Sequence, residues 1–177
     1  MIEAIFIEFE NNYPEHVTMR ELSRNEILIA TGHRETHCYL VMSGALRVVY
    51  QSESQSHIIR FGYSGSILTS LPAFFDQSPS LFDIVAIRKT VIKCFEIKAL
   101  LRFLESSVQY QKTYQIILQD LIKQQVEREI DLLTPDPHDR FKRVLNRSPN
   151  LFNEIPAVYI ANYLRMTPEH LSRIRKS

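Results

Sequence analysis

No glycine or proline interrupts the chain between Glu105 and Thr134, and that segment narrows most sharply what the polypeptide can fold into. Within "ESSVQYQKTYQIILQDLIKQQVEREIDLLT" the residues Tyr110, Tyr114, Ile117, Leu118, Leu121, Ile122, Val126, Ile130 and Leu133 recur at steps of three and four, the period of an amphipathic helix. A helix over 106–133 would be about 42 Å long at roughly 1.5 Å per residue, longer than one side of a small domain. Such a rod either packs wholly on its own domain or offers part of its length to a second copy. Its excess length favours a parallel homodimer, with Tyr114, Ile117, Leu118, Leu121 and Val126 at the interface.

The region before the helix has a different texture. Gly32, Gly44, Gly62 and Gly65 all precede the helix, between stretches rich in β-formers: "EILIA", "HCYLVMS", "ALRVVYQS", "HIIRFGY", "DIVAI" and "TVIKCFEI". Short strands punctuated by turns at this spacing predict a small barrel or roll. "VMSGALRVVY" reads as a hairpin turning at Ser43 and Gly44, because glycine takes the positive φ such turns need. Beyond the helix, "TPDPHD" acts as a breaker and a hinge. "HDRFKRVLNRSPN" then predicts a short helix with Phe141, Val144 and Leu145 inward and its arginines outward.

Charge separates the same regions. From His138 onward there are eight Lys/Arg against three Asp/Glu, while residues 1–137 carry 13 against 17. A compact basic module on an acidic body is the electrostatic footprint of a nucleic-acid binder, although a solvated basic tail reads the same way. The start "MIEAIFIEFENNYPEH" lacks a basic, apolar leader, and no apolar run approaches the roughly 20 residues of a membrane span, so a cytoplasmic protein is expected. Cys38 and Cys94 stand far apart without a close ligand partner and predict two reduced thiols. His33 and His37 straddle a glycine-marked turn and the start of a strand rather than a helix, so surface histidines are expected and no metal or cofactor. No nucleophile with its base and no phosphate loop is present, so an enzyme is not expected.

The terminal stretch "IPAVYIANYLRMTPEHLSRIRKS" contains two short periodic runs joined at Thr167-Pro168. Pro156 suits the first turn of one helix; Thr167 can cap and Pro168 can start the next. Ile160, Leu164, Met166, Leu171 and Ile174 mark the inner face, with Ala161 small enough for two helices crossing closely. This is a helix-turn-helix pattern, though a generic two-helix hairpin shows the same periodicity. The capping box is incomplete, since His170 stands where a Glu would complete it.

On these residues the sequence resembles the Crp/Fnr family of bacterial transcription regulators, weakly in the roll and strongly from Ile155 to Lys176. The resemblance implies an α+β fold in three parts. These are a β-roll (double-stranded β-helix, jelly-roll-like) resembling the cyclic-nucleotide-binding sensor domain over 1–105, a dimerisation helix over 106–134 and an all-α helix-turn-helix DNA-binding domain over 135–177. In that family the second helix of the pair presents a Glu and, four residues on, an Arg to base edges in the major groove, and Glu169 and Arg173 match. Arg binds guanine with two donors and Glu accepts from cytosine. Thr167, His170, Ser172 and Lys176 are then candidates for phosphate or flanking contacts. Arg165 stands where the family usually has glycine in the turn and must go left-handed or alter it. The second helix is expected to be the last element, without the wing many relatives add.

In cyclic-nucleotide-binding relatives a Gly-Glu pair holds the ribose and a nearby Arg the phosphate. Gly65 matches the glycine, Ser66 stands where the Glu would be, and residues 61–87 contain no Lys or Arg. A buried phosphate without a counter-charge is costly, so cyclic AMP is not expected as ligand. Phe61, Gly65, Ser66, Ile67, Leu68 and Phe82, with Leu71, Phe74 and Phe75 nearby, could line an apolar effector pocket or simply fill the core. The function expected is a Crp/Fnr-like regulator binding double-stranded DNA at an inverted-repeat operator as a homodimer, with an unidentified small-molecule effector and RNA polymerase as further candidate partners and no membrane. The rival is a ligand-sensing or protein-interaction module whose roll no longer serves DNA binding.

Overall fold

The structure is a computed structural model that describes residues 2–176; Met1 and Ser177, the outer limits of the first and third regions, lie outside the described residues. A helix, α1 (Ile2–Asn12), and a 3-10 turn lead into β1 (Val17–Leu22), β2 (Ile27–Ile29), β3 (His37–Ser43), β4 (Ala45–Gln51), β5 (Ser56–Tyr63) and β6 (Ile67–Leu68). Then come α2 (Leu71–Asp76), β7 (Asp83–Ala86), β8 (Thr90–Glu96), α3 (Ile97–Glu105) and α4 (Val108–Leu133). Four short helices close the chain: α5 (Pro137–Arg147), α6 (Leu151–Glu154), α7 (Ala157–Tyr163) and α8 (Pro168–Ile174).

The eight strands form two antiparallel four-stranded sheets, ordered β1-β8-β3-β6 and β2-β7-β4-β5. The alternation of β-branched and apolar residues along each strand aims one side inward. Leu22, Leu28, Ile29, Tyr39, Val41, Leu46, Val48, Leu68, Ile84 and Ile92 thereby fill a first core, with Phe82 packed on it. This is the expected α+β architecture built on a β-roll. The outer face of the first sheet is also covered: Phe6 and Phe9 of α1, Leu100 and Phe103 of α3, and Phe95, Cys38 and Leu40 of the sheet make a second core. Burial on both faces explains the near-continuous apolar run of β3.

Gly44 overturns the expected hairpin. β3 pairs with β6 and β8, whereas β4 pairs with β5 and β7, so Gly44 is the corner where one continuous strand passes from the first sheet to the second. Its φ is +93°, and a Cβ there would come within 2.5 Å of the Lys89 carbonyl oxygen and Thr90 Oγ1. A corner and a hairpin make the same local demand for glycine; strand pairing separates them. Helix α1 is an element beyond those the sequence pattern predicts. Its ring contacts, Phe6 on Phe95 at 4.8 Å between centroids and Phe9 on Phe103 at 5.5 Å, make it part of the roll.

Cys38 lies opposite Phe95 and Cys94 opposite Tyr39, so the two thiols point to opposite faces of one sheet. Both are free and buried, and burial pushes both thiol pKa values up. Helix α4 begins at an N-cap, Ser107, whose side chain accepts the Tyr110 N–H. Its first turns rest Tyr110, Tyr114 and Ile117 on the second core. Further along it leaves Ile122 at 62%, Val126 at 49%, Ile130 at 40% and Leu133 at 72% exposure. No helix of the described residues is long and apolar enough to cross a membrane.

Candidate nucleic-acid interface

Helices α5 to α8 are organised around a third core of Phe141, Val144, Leu151, Ile155, Ile160, Ala161, Leu164, Leu171 and Ile174. Ile160, Ala161 and Leu164 are fully buried and Leu171 is 1% exposed, so α7 and α8 meet along the inner face read from the sequence. Ala161 has no side chain beyond Cβ to hold the helices apart, and their crossing depends on it.

The turn between them is closed by the backbone. Arg165 adopts φ 57°, and the Met166 N–H donates to the Ala161 carbonyl at 3.0 Å, the six-to-one bond of a Schellman ending. Of the two outcomes open to Arg165, a left-handed residue or an altered turn, the left-handed one is present. Thr167 Oγ1 accepts the His170 N–H at 3.2 Å, so Thr167 caps α8 as read, with Pro168 in the first turn.

This geometry leaves one face of α8 in solvent. Thr167, Glu169, Ser172, Arg173 and Lys176 are exposed and His170 is half-buried. Glu169 and Arg173 stand four residues apart and share that face. The Glu169 carboxyl is held below its ordinary value by its own backbone N–H and the Thr167 hydroxyl, with the Arg173 charge adding to them. An ionised acceptor and a planar five-donor guanidinium are thus presented side by side on a capped helix. Arg175, whose guanidinium lies over the Phe152 ring at 5.3 Å, flanks them.

The arginines of α5 do not face outward as expected. Arg140 is 9% exposed and its Nη1 donates to the Thr134 carbonyl at 3.2 Å. Arg143 reaches back to α4, binding Glu127 at 2.8 Å and Asp131 at 3.2 Å, and Arg147 also binds both carboxylates. Asp131 is fully buried, and a buried carboxylate needs such partners. The "TPDPHD" segment is thus bridged by ion pairs, and Asp136 caps α5 by accepting the His138 and Asp139 N–H groups at 2.8 and 2.9 Å. Only the i to i+4 neighbourhood is readable in a sequence; an arginine 12 or 16 residues beyond its carboxylate left no such signal.

The module is also docked on the roll. Asn162 binds the backbone of β5, Arg165 meets His57, and Arg88 donates to the Glu154 carboxylate and carbonyl, each at 2.6 Å. Arg47 stacks over the Tyr159 ring at 4.5 Å and Arg128 over Tyr163 at 3.7 Å.

Other sequence-derived residues fall apart in space. Leu68 and Phe82 belong to the first core, Ile67 and Phe74 to the second and Phe61 to the third. Gly65 sits in an open turn at φ +84° and Ser66 Oγ accepts the Tyr63 N–H at 3.0 Å. Phe61 and Ser66 line one cleft together with Ile59 and Tyr63, while Ile67, Leu68 and Phe82 turn into the cores, because alternate strand positions send side chains to opposite faces. Of the helix residues read as a dimer face, Tyr114 and Ile117 rest on the second core, Leu118 and Leu121 are half-buried, and Val126 is exposed. His37 Nδ1 lies 3.0 Å from Thr36 Oγ1 and 3.3 Å from Glu35.

Known structures share this arrangement. FixK2 from Bradyrhizobium japonicum superposes with a TM-score of 0.77 at 17% identity, covering 90% of this chain and 83% of that one. A CooA variant from Carboxydothermus hydrogenoformans gives 0.74 at 17%, covering 96% and 82%. The c-di-GMP responsive global regulator CLP of Xanthomonas campestris gives 0.70 at 13%, covering 96% and 90%. No curated protein matches the sequence significantly. At these identities the likeness is one of fold. Residues 19–107, about half of the chain and nearly all of the roll, match the cyclic nucleotide-binding domain, and the chain belongs to that family.

Proposed function

We propose that the chain is a homodimeric DNA-binding transcription regulator of the Crp/Fnr type, and that cyclic AMP is not its effector. The observation that supports this most directly is α8: capped by Thr167 and fixed against α7 by buried Leu164 and Leu171, it turns Glu169 and Arg173 outward together. That pair supplies an acceptor and a bidentate donor at the spacing that reads two base edges in a major groove. Lys176 and Arg175 add charge for phosphates at the end of the same helix. The fold-level likeness to CLP, described as a global regulator tied to gene expression, agrees with this reading.

Dimerisation uses the exposed stripe Ile122, Val126, Ile130 and Leu133 of α4 rather than Tyr114 and Ile117, which the roll already covers. The stripe steps by four and three residues along one helix side, as a coiled-coil seam does. Against cyclic AMP stands the 61–87 segment, where the only charged side chains are Asp76 and Asp83. A cyclic phosphate held by that segment's own residues would meet like charge and no cation from them. The docking of α7 on β5 favours one other reading, a module that serves protein contacts alone.

Selection of genomic DNA fragments by the purified protein at two salt concentrations tests the proposal. An inverted repeat with half-sites about 34 Å apart, enriched at both salts, is expected. Binding that vanishes at the higher salt, without sequence enrichment at the lower, would reject it.

A further inference from the structure

We propose that the cleft between β5, the middle of α4 and the α5–α7 module binds a small organic anion, a molecule carrying a phosphate or carboxylate group, through Arg60, Lys123 and Arg128. All three parts of the chain contribute walls to it, and it encloses about 500 Å³, within the roughly 300–1,000 Å³ of small-molecule sites.

The charge balance of the walls points to the ligand class. Of the two acids lining the cleft, Glu127 is bound by Arg143 and Arg147, and Asp120 accepts from Gln124 Nε2 at 2.7 Å. Arg60, Lys123 and Arg128 form no ion pair with a carboxylate of the described residues; Arg60 Nη2 donates to Gln125 Oε1 at 3.2 Å and Arg128 Nη2 to the Tyr163 carbonyl at 2.7 Å. Arg128 is 7% exposed, its face is stacked on Tyr163, and its Nη1, buried, has no hydrogen-bond partner. Burial lowers the pKa of both arginines. A desolvated guanidinium with a donor to spare is costly unless an anion completes it. Its planar fork suits an oxyanion taken by two parallel N–H bonds. Because the same guanidinium grips the carbonyl of Tyr163, an anion on Arg128 also bears on how the terminal module is held.

This inference goes beyond the regulator reading and does not rest on it, since its test involves no DNA. The full chain is titrated calorimetrically with pyrophosphate and with citrate at matched ionic strength, and thermal unfolding of each variant is followed to confirm that it folds. Saturable binding of at least one probe, one per subunit, is expected. Pyrophosphate alone would assign a phosphate ligand, citrate alone a carboxylate, and both the shared oxyanion chemistry. Lys123→Met, at a solvent-exposed position, and Arg128→Lys, which keeps the charge and loses the fork, should each weaken binding by about tenfold. No saturable binding of either probe, or affinities unchanged in both variants, would overturn the proposal.

Discussion

The side-chain amide of Asn162 on α7 completes the edge of β5: its Oδ1 accepts the Ile58 N–H at 2.7 Å and its Nδ2 donates to the Ser56 carbonyl at 3.0 Å. β5 is the last strand of its sheet, so these groups face outward, and a primary amide, with one acceptor and two donors, imitates the missing strand. Asn162→Ala leaves the Ile58 N–H without its partner, which should cost about 1–2 kcal/mol and speed hydrogen exchange at Ile58. Unchanged exchange there would show that α7 does not dock on β5 in solution.

The α4 stripe predicts the oligomeric state. Ile122→Glu with Val126→Glu places two charges in the proposed seam, at positions that are 62% and 49% exposed in the subunit, so the fold should survive while the dimer separates. Light scattering should give a monomer mass. A dimer that persists moves the interface elsewhere.

Arg173 and Lys176 should fail in different ways. Arg173→Ala removes the proposed base contact, and should cost roughly 1–3 kcal/mol with preference relaxed at one base pair of each half-site. Lys176→Ala should weaken all duplexes alike and flatten the salt dependence by about one unit per subunit. Titrations of both variants against selected and scrambled duplexes over a salt series make the comparison. Full retention of sequence preference by Arg173→Ala would remove α8 from base recognition.

Arg165 offers a stability test of the turn. At φ 57° a residue with a Cβ is disfavoured by roughly 1–2 kcal/mol, and glycine is not. Arg165→Gly also gives up the contact with His57 and loosens the unfolded chain, so a net gain of about 0.5–1 kcal/mol is expected. A lower denaturant midpoint would mean that the His57 contact outweighs the strain.

Asp136 should contribute to acid sensitivity. The N–H groups of Asp139 and His138 hold its carboxyl below the ordinary value of 3.8. A group whose folded pKa is depressed stabilises the fold above its unfolded value, and this contribution is lost as pH falls through the folded one. Asp136→Asn keeps an acceptor that does not titrate, so its stability should decline less steeply below about pH 4. Identical acid limbs in urea denaturation would remove Asp136 from the account.

Read alone, the sequence determined whatever depends on neighbours within a turn of helix or along a strand. The 106–133 periodicity became α4, Thr167 became a cap, and Glu169 and Arg173 came to share a face, because capping and helical phase are set within about four residues. What the chain does at long range was decided by tertiary structure. Gly44 needs a positive φ in a hairpin or at a corner, and only the pairing of β3 with β8 and β4 with β7 chose the corner. Arg143 and Arg147, which the helix pattern turns outward, are instead both bound by Asp131, buried on α4. Phe61, Ile67 and Leu68, close in sequence, entered three different cores, since a sheet sends alternate side chains to opposite sides and the elements that cover each side come from distant parts of the chain.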